Sequence, residues 1–114
     1  MQQLAQIPEL DVQTGIRYCL DQELYKEVLQ EYAQSDKADK LEEYYAAGDW
    51  SNYKIVVHAL KSTSLTIGAV ALSEEAKALE KAAKDGDEGY LLSNHQAVME
   101  KFKALRAKLG EILS

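Results

Sequence analysis

The sequence predicts an all-α protein, an antiparallel up-down four-helix bundle with one or two short extra helices at its N-terminus. Pro8 is the only proline in 114 residues, and no stretch sustains the alternation of apolar and polar residues that a half-buried strand requires. Apolar residues recur instead at spacings of three and four, in segments that short turn sequences separate. Amphipathic helices joined in this way can bury their apolar stripes together only as a bundle.

The region before residue 35 is predicted to hold two helices. Its first stretch is polar, so we expect residues 1–8 to form a flexible N-terminal segment and residues 9–114 to form one helical domain. A short helix is predicted over 11–18. Asp21 is the predicted N-cap of a longer helix that ends at Gln34. The apolar face of this longer helix is predicted to carry Leu24, Val28 and Tyr32.

Two more helices are predicted on either side of Gly48, which is expected to end the first of them. Ser35 is the candidate N-cap of this first helix. Its apolar positions are Ala38, Leu41 and Tyr45. Asp49 is the predicted N-cap of the second, a long helix from Trp50 to about Ile67 that Gly68 ends. At about 100° per residue, its core stripe comprises Tyr53, Val56, Val57, Leu60, Thr63, Ser64 and Ile67.

The last third of the chain predicts a further pair of helices. Ser73, followed by Glu74 and Glu75, is expected to open the first, because acidic residues suit the positive end of a helix dipole. Its apolar stripe is Leu72, Ala76, Leu79 and Ala83. After the turn "KDGDEG", the last helix begins near Glu88. Its stripe is Leu91, Val98, Phe102, Leu105, Leu109 and Ile112.

Composition narrows the classes of function. The formal net charge is −6, which argues against nucleic-acid binding because that needs a basic face. The first residues lack the pattern of a signal peptide, and no apolar run is long enough to span a membrane. The single Cys19 cannot form an intramolecular disulfide, which suits a reducing compartment. We therefore expect a cytoplasmic monomer that binds neither nucleic acid nor membrane.

His58 is predicted to lie on the exposed face of the long helix, roughly 160° from the centre of the core stripe. Residues that share this side are Ser51, Lys54, Ile55, Lys61, Ser62 and Leu65. A neutral imidazole with a pKa of about 6.5 is a competent nucleophile at pH 7. Lys61, one turn on, can place an ammonium beside the oxygens of a phosphoryl group on the ring. His95 lies instead on the apolar stripe of the last helix, where a structural role is expected.

The segment "HALKSTSLTIGA", from His58 to Ala69, resembles the signature of the histidine phosphotransfer (HPt) domain family. The matching positions are His58, Ala59, Leu60, Lys61, Thr63 and the pair Gly68-Ala69. The segments "GDW", "LEKAAKDGD" and "LDVQTGIRYCLDQELYKEVL" also resemble the family, so the resemblance covers nearly the whole chain from Pro8. It implies that His58 is the phosphoacceptor and that Lys61 stabilises the phosphate. Ser62 stands where the family commonly has glycine, and its hydroxyl bears on transfer rate and partner choice.

The resemblance implies a phosphoryl carrier between aspartates of receiver domains in a multistep two-component phosphorelay. Its partners would be response-regulator receiver domains and a hybrid sensor histidine kinase, docking on Lys54, Ile55, Ser62 and Leu65. No cofactor is expected in this chain, and Mg²⁺ is expected only in the partner receiver domain. A kinase is disfavoured because no ATP-binding segment is found, and a metal-bearing bundle because Glu-x-x-His pairs are absent. An HPt-like adapter that binds receiver domains without phosphotransfer remains the alternative.

Overall fold

Six helices run through the part of the chain that the computed structural model describes, which is Leu4, residues 6–8 and residues 10–113. They are α1 (Val12–Cys19), α2 (Gln22–Ala33), α3 (Lys37–Ala47), α4 (Trp50–Thr66), α5 (Val70–Asp85) and α6 (Glu88–Leu113). No strand occurs among these described residues, and none of the six helices is long and apolar enough to cross a bilayer. The predicted all-α class is confirmed.

Neighbouring helices of the bundle run antiparallel. The contact between α4 and α5 is the most extensive, and α5 packs in turn against α6. The remaining side is shared by α2 and α3, which follow each other along α6. Tyr32 of α2 contacts Phe102, whereas Glu42 of α3 bonds His95 nearer the start of α6. The predicted antiparallel bundle is therefore confirmed, and the short α1 is the extra N-terminal helix.

Side-chain caps fix the starts of three helices at aspartates. Asp21 and Asp49 are the predicted N-caps, whereas Asp11, predicted as the first residue of its helix, is the N-cap of that helix instead. Carboxylate oxygens of Asp11, Asp21 and Asp49 accept backbone N–H groups two or three residues further on, at 3.1, 2.8 and 3.2 Å. These bonds satisfy donors that the first turn of a helix leaves unpaired. Gly48 ends α3 with a φ of +66°, as its position after the last apolar residue of that helix predicts.

The predicted start of the fifth helix is wrong. α5 begins at Val70, three residues before Ser73. The chain can enter α5 immediately after Gly68, because this glycine has a φ of +90°, a region that only glycine enters readily. Ser73 consequently lies inside the helix, where its hydroxyl donates to the Lys61 carbonyl oxygen at 2.9 Å and ties α5 to α4.

The predicted apolar face of α2 is displaced by one residue. Tyr25 and Leu29 are fully buried, whereas Leu24 is 47% exposed. Tyr25 can occupy the interior because its hydroxyl donates to the Ile67 carbonyl oxygen at 2.8 Å, which removes the cost of burying an unsatisfied polar group. Tyr32, predicted on the same face, is buried.

The predicted core stripe of α4 is confirmed. Its fully buried members are Tyr53, Val57, Leu60, Ser64 and Ile67, with Val56 and Thr63 half-buried. The buried hydroxyl of Ser64 in this stripe is satisfied by the Tyr32 hydroxyl at 2.9 Å. With this stripe held in the core, the opposite face of α4 is directed to solvent.

A glycine-dependent junction joins α1 to the turn between α4 and α5. The Asp11 N–H donates to the Gly68 carbonyl oxygen at 2.8 Å. Gly15 of α1 packs against this turn so closely that a Cβ there would lie 2.6 Å from the Ile67 carbonyl oxygen and would also overlap the Tyr25 ring. Both glycines are therefore required by close backbone approach.

His95 is a structural residue, as its place on the α6 stripe predicts. It is fully buried, and its Nδ1 and Nε2 lie 2.8 Å from the Tyr53 hydroxyl and from Glu42 Oε1. The Tyr45 ring stacks on the imidazole with centroids 3.8 Å apart. Burial lowers the pKa of His95, and the bond to Glu42 opposes this shift without cancelling it.

The N-terminal segment contributes two side chains to the core. Leu4 and Ile7 are 2% and 5% exposed. Residues 1–3, 5 and 9 lie outside the described residues. The division of the chain into a flexible segment over 1–8 and a helical domain over 9–114 stays a prediction.

The two glycines Gly15 and Gly110 give a matched test of the α1 junction. We expect Gly15→Ala to lower the free energy of unfolding by about 1–3 kcal/mol, because the added methyl overpacks the contact with Tyr25 and Ile67. Gly110→Ala in α6 should instead raise it by up to about 1 kcal/mol, because open space surrounds that position and alanine is the better helix former. Urea denaturation measures both. Equal effects of the two substitutions would contradict the tight junction.

Candidate functional site

His58 lies in the middle of α4 on the face opposite the core. Its side chain is 57% exposed, while the adjoining Val57 and the nearby Leu60 are fully buried. The helix period alone separates these environments, because residues on opposite sides of a helix cannot both face the bundle. The imidazole is therefore open to another molecule, as the sequence predicts.

Glu80 of α5 joins the two residues singled out on α4. One carboxylate oxygen lies 2.5 Å from His58 Nδ1, and the other accepts a hydrogen bond from Lys61 Nζ at 2.8 Å. The Glu80 and Lys61 side chains are 21% and 27% exposed, so this triad is partly shielded from water. His58 and Lys61, predicted to act together, are thus held by one carboxylate.

The charge of Glu80 is set by these two partners. Its partial burial would raise its pKa, but the hydrogen bonds from Lys61 and His58 and their positive charges outweigh burial and leave the pKa below its ordinary value. The carboxylate is therefore ionised at neutral pH. An ionised carboxylate can only accept hydrogen bonds, which constrains the proton on the neighbouring ring.

The other residues predicted for this surface surround the triad. Lys54, Ile55 and Ser62 are exposed, and Leu65 is half-buried. Ile55 is 64% exposed and adds a large apolar side chain to this face. The small Ser62 lies one turn after His58 and leaves the approach to the imidazole open. The predicted residues therefore form one continuous face of α4.

Glu80 is the site residue that sequence reasoning missed. Helical spacing on α4 identifies its own exposed face, but it does not tell which residue of α5 lies opposite. The turn at Gly68 carries that signal, since residues about ten positions on either side of it face each other in an antiparallel helix pair. His58 is ten residues before Gly68, and Glu80 is twelve after it.

Both histidines contact glutamates, but through opposite ring nitrogens. His58 uses Nδ1, which leaves Nε2 directed away from Glu80, whereas His95 uses Nε2 for Glu42 and Nδ1 for Tyr53. His95 therefore has no nitrogen left for chemistry and is buried as well. Of the two, only His58 is exposed, and its Nε2 has no hydrogen-bond partner within the part of the chain that the structure describes.

Comparison with known proteins identifies the family of this chain. The family model of the Hpt domain matches residues 21–113, which include every helix from α2 to α6 and the whole triad. No curated protein and no solved structure matches the chain. Domains of this family carry out histidine phosphotransfer in phosphorelays, and they interact with receiver domains. Since the match covers most of the sequence, the chain belongs to the Hpt domain family.

Proposed function

We propose that the protein carries a phosphoryl group on Nε2 of His58, between aspartates of receiver domains in a multistep two-component phosphorelay. The observation that carries this proposal is the exposed His58 ring, whose Nδ1 is bound by Glu80 while Lys61 lies on the same carboxylate. In this proposal His58 is the catalytic residue and Lys61 stabilises the phosphoryl group. Glu80 is a positioning residue.

The bond to Glu80 prepares His58 as a nucleophile. Because the carboxylate can only accept, Nδ1 must carry the ring proton. In the neutral ring the lone pair then resides on Nε2. Glu80 thereby fixes both the tautomer and the orientation of the ring.

The proposed transfer balances without any loss of a proton from the ring. The Nε2 lone pair attacks the phosphorus of an aspartyl phosphate in the receiver, and the bond between phosphorus and the aspartate oxygen breaks. The electron pair of that bond remains on the receiver's carboxylate. The ring gains a positive charge, which the adjacent Glu80 carboxylate stabilises. The reverse step loads the aspartate of another receiver.

Lys61 supplies the positive charge that this face needs. Charge on a transferring phosphoryl group is spread over its equatorial oxygens, so electrostatic stabilisation and positioning carry most of the catalysis. An ammonium has three donors, and the Glu80 bond uses one of them. Lys61 can therefore donate to a phosphoryl oxygen without leaving the carboxylate. Mg²⁺ in this proposal belongs to the acidic pocket of the receiver.

The proposed docking surface is the face of α4 around the ring. Ile55 and Leu65 supply apolar contact on either side of His58, and Ser62 leaves room for close approach. Lys54 adds a positive charge one turn before the histidine. The partners proposed for this surface are response-regulator receiver domains, among them that of a hybrid sensor histidine kinase.

Phosphate transfer from a phosphorylated receiver domain tests the function. We expect the purified protein to acquire a phosphate that is acid-labile and base-stable, and His58→Gln to acquire none. The variant should fold normally, since a surface substitution changes the free energy of unfolding by about 0.5 kcal/mol or less. Circular dichroism and denaturant unfolding check this. Receiver binding without phosphate acquisition would identify the protein as a non-transferring adapter instead.

Lys61→Ala should slow transfer and shift the phosphoryl equilibrium towards the receiver's aspartate. A charge-assisted hydrogen bond contributes about 1.5–3 kcal/mol, and partial exposure favours the lower end. We expect a rate loss on the order of tenfold, at about 1.4 kcal/mol per factor of ten. Lys54→Ala is the matched control, because that lysine lies on the same face without a bond to Glu80. It should leave the equilibrium constant unchanged. Wild-type rate and equilibrium in Lys61→Ala would refute the role of this ammonium.

Glu80→Gln should alter the tautomer of His58. With the pH raised until the wild-type ring is neutral, nitrogen-15 NMR should show Nδ1 protonated and Nε2 unprotonated. The amide of the variant can donate or accept, so both tautomers should appear, and transfer should slow by up to about tenfold. His95 is the internal reference with the opposite tautomer and should not change. A wild-type His58 protonated on Nε2 would overturn the positioning role.

A further inference from the structure

A groove between α4 and α5 adjoins the triad and is lined mainly by lysines. Its volume is about 540 Å³, many times the roughly 30 Å³ that one water molecule occupies. The lysines that line it are Lys54, Lys61, Lys77, Lys81 and Lys84. Because Lys61 also bonds Glu80, the groove is continuous with the face that carries His58.

The groove concentrates positive charge in an acidic protein. It holds five of the 13 basic residues of the chain but only two of its 19 acidic ones, Glu80 and Asp85. Outside it, 8 basic residues remain against 17 acidic ones. The net charge of −6 therefore conceals a positive channel on one side of the site. Such an asymmetry focuses the field that an approaching charged partner meets.

The lysines of α5 have no structural partner among the described residues. Lys77, Lys81 and Lys84 are exposed, and the Glu80 carboxylate beside them is occupied by His58 and Lys61. Like charges four residues apart, as at Lys77 and Lys81, destabilise a helix by about 0.2–0.5 kcal/mol. Lys84 suits the C-terminal end of the helix dipole, but Lys77 lies in the middle of α5. Opposite charges at Glu80/Lys84 and Lys81/Asp85 have the same spacing and offset this repulsion, so helix stability neither requires nor excludes this row.

We infer that the α4–α5 groove is an electrostatic docking channel for the acidic rim of a receiver domain's phosphoaspartate pocket. The inference rests on the proposed function, and it extends the partner surface from α4 to Lys77, Lys81 and Lys84 of α5. The partner carries negative charge on its aspartyl phosphate and on the carboxylates that hold its Mg²⁺. Attraction into the channel brings that pocket towards Lys61 and His58. The channel raises the rate of association with the receiver domain, whereas the triad promotes the transfer of the phosphoryl group.

Three groove lysines and three lysines elsewhere give variants of equal net charge. The groove variant is Lys77→Gln/Lys81→Gln/Lys84→Gln, and the control is Lys26→Gln/Lys40→Gln/Lys103→Gln. The control lysines are exposed on α2, α3 and α6, where ion pairs to Asp36 and Glu42 contribute little. Association with a phosphorylated receiver domain is followed by stopped-flow fluorescence at about 0.02 M and 0.5 M ionic strength. Thermal unfolding of both variants checks their folds.

At low ionic strength the groove variant should associate about tenfold more slowly than the wild type, within the range known for electrostatic steering. At high ionic strength the loss should shrink below about twofold, because the screening length falls to several ångströms. The control should lose less than about twofold at both. Equal losses in the two variants, or a loss that salt does not reduce, would overturn the inference. Association is measured separately from transfer. Binding without acceptance of phosphate would therefore refute the proposed function, and the association rates of the two variants would still test the channel.

Discussion

The left-handed turn at Gly68 is the constraint on which the site depends. Because Gly68 has a φ of +90°, α5 can start two residues after it and run antiparallel to α4. This arrangement brings Glu80 opposite His58 and Lys61. The same glycine accepts the Asp11 N–H, and a Cβ on it would overlap the backbone of that residue. One backbone conformation therefore joins α1, orients the helix pair and assembles the triad. A side chain at this position would disturb all three.

The two histidines illustrate how one bundle separates an exposed imidazole from a buried one. Both have a glutamate partner, so a nearby carboxylate alone does not distinguish them. The two residues differ in which ring nitrogen bonds the carboxylate and in the surroundings of the other nitrogen. His95 gives Nε2 to Glu42, and Tyr53 occupies its Nδ1 in the core. In His58, Nδ1 bonds Glu80, and Nε2 lies on the side of the ring that faces solvent.

Much of this fold was predictable because it follows from local chemistry. Caps at Asp11, Asp21 and Asp49 and the stop at Gly48 depend on a few adjacent residues, and the stripe of α4 depends only on the helix period. The displaced apolar face of α2 arose because a distant contact determines which side chain is buried. Tyr25 is buried in place of Leu24 because its hydroxyl reaches Ile67, and such a contact across 42 residues leaves no periodic signal in the sequence.

The residues of the site were likewise predictable where they depend on one helix and not where they depend on a contact between helices. Exposure of His58 and the proximity of Lys61 follow from α4 alone, and both were predictable. Glu80 and the α5 lysines belong to another helix, so their place beside His58 depends on the angle and register at Gly68. Helical spacing within one segment contains no information about the angle or the register between two helices. The pair Gly68-Ala69 belongs to the segment that resembles the HPt family, and the left-handed conformation of Gly68 in the turn between α4 and α5 gives a physical reason for the glycine.

The shared carboxylate also bears on why the proposed carrier would remain reversible. A relay needs phosphohistidine to be stable enough to form and labile enough to pass on. Lys61 favours the phosphoryl group, but its charge is partly offset by Glu80, which lies 2.8 Å from Nζ. Glu80 in turn stabilises the positive ring while repelling the phosphoryl oxygens. In the proposed mechanism these opposed interactions keep the energy of the loaded state close to that of the receiver's aspartyl phosphate, so transfer can run in either direction.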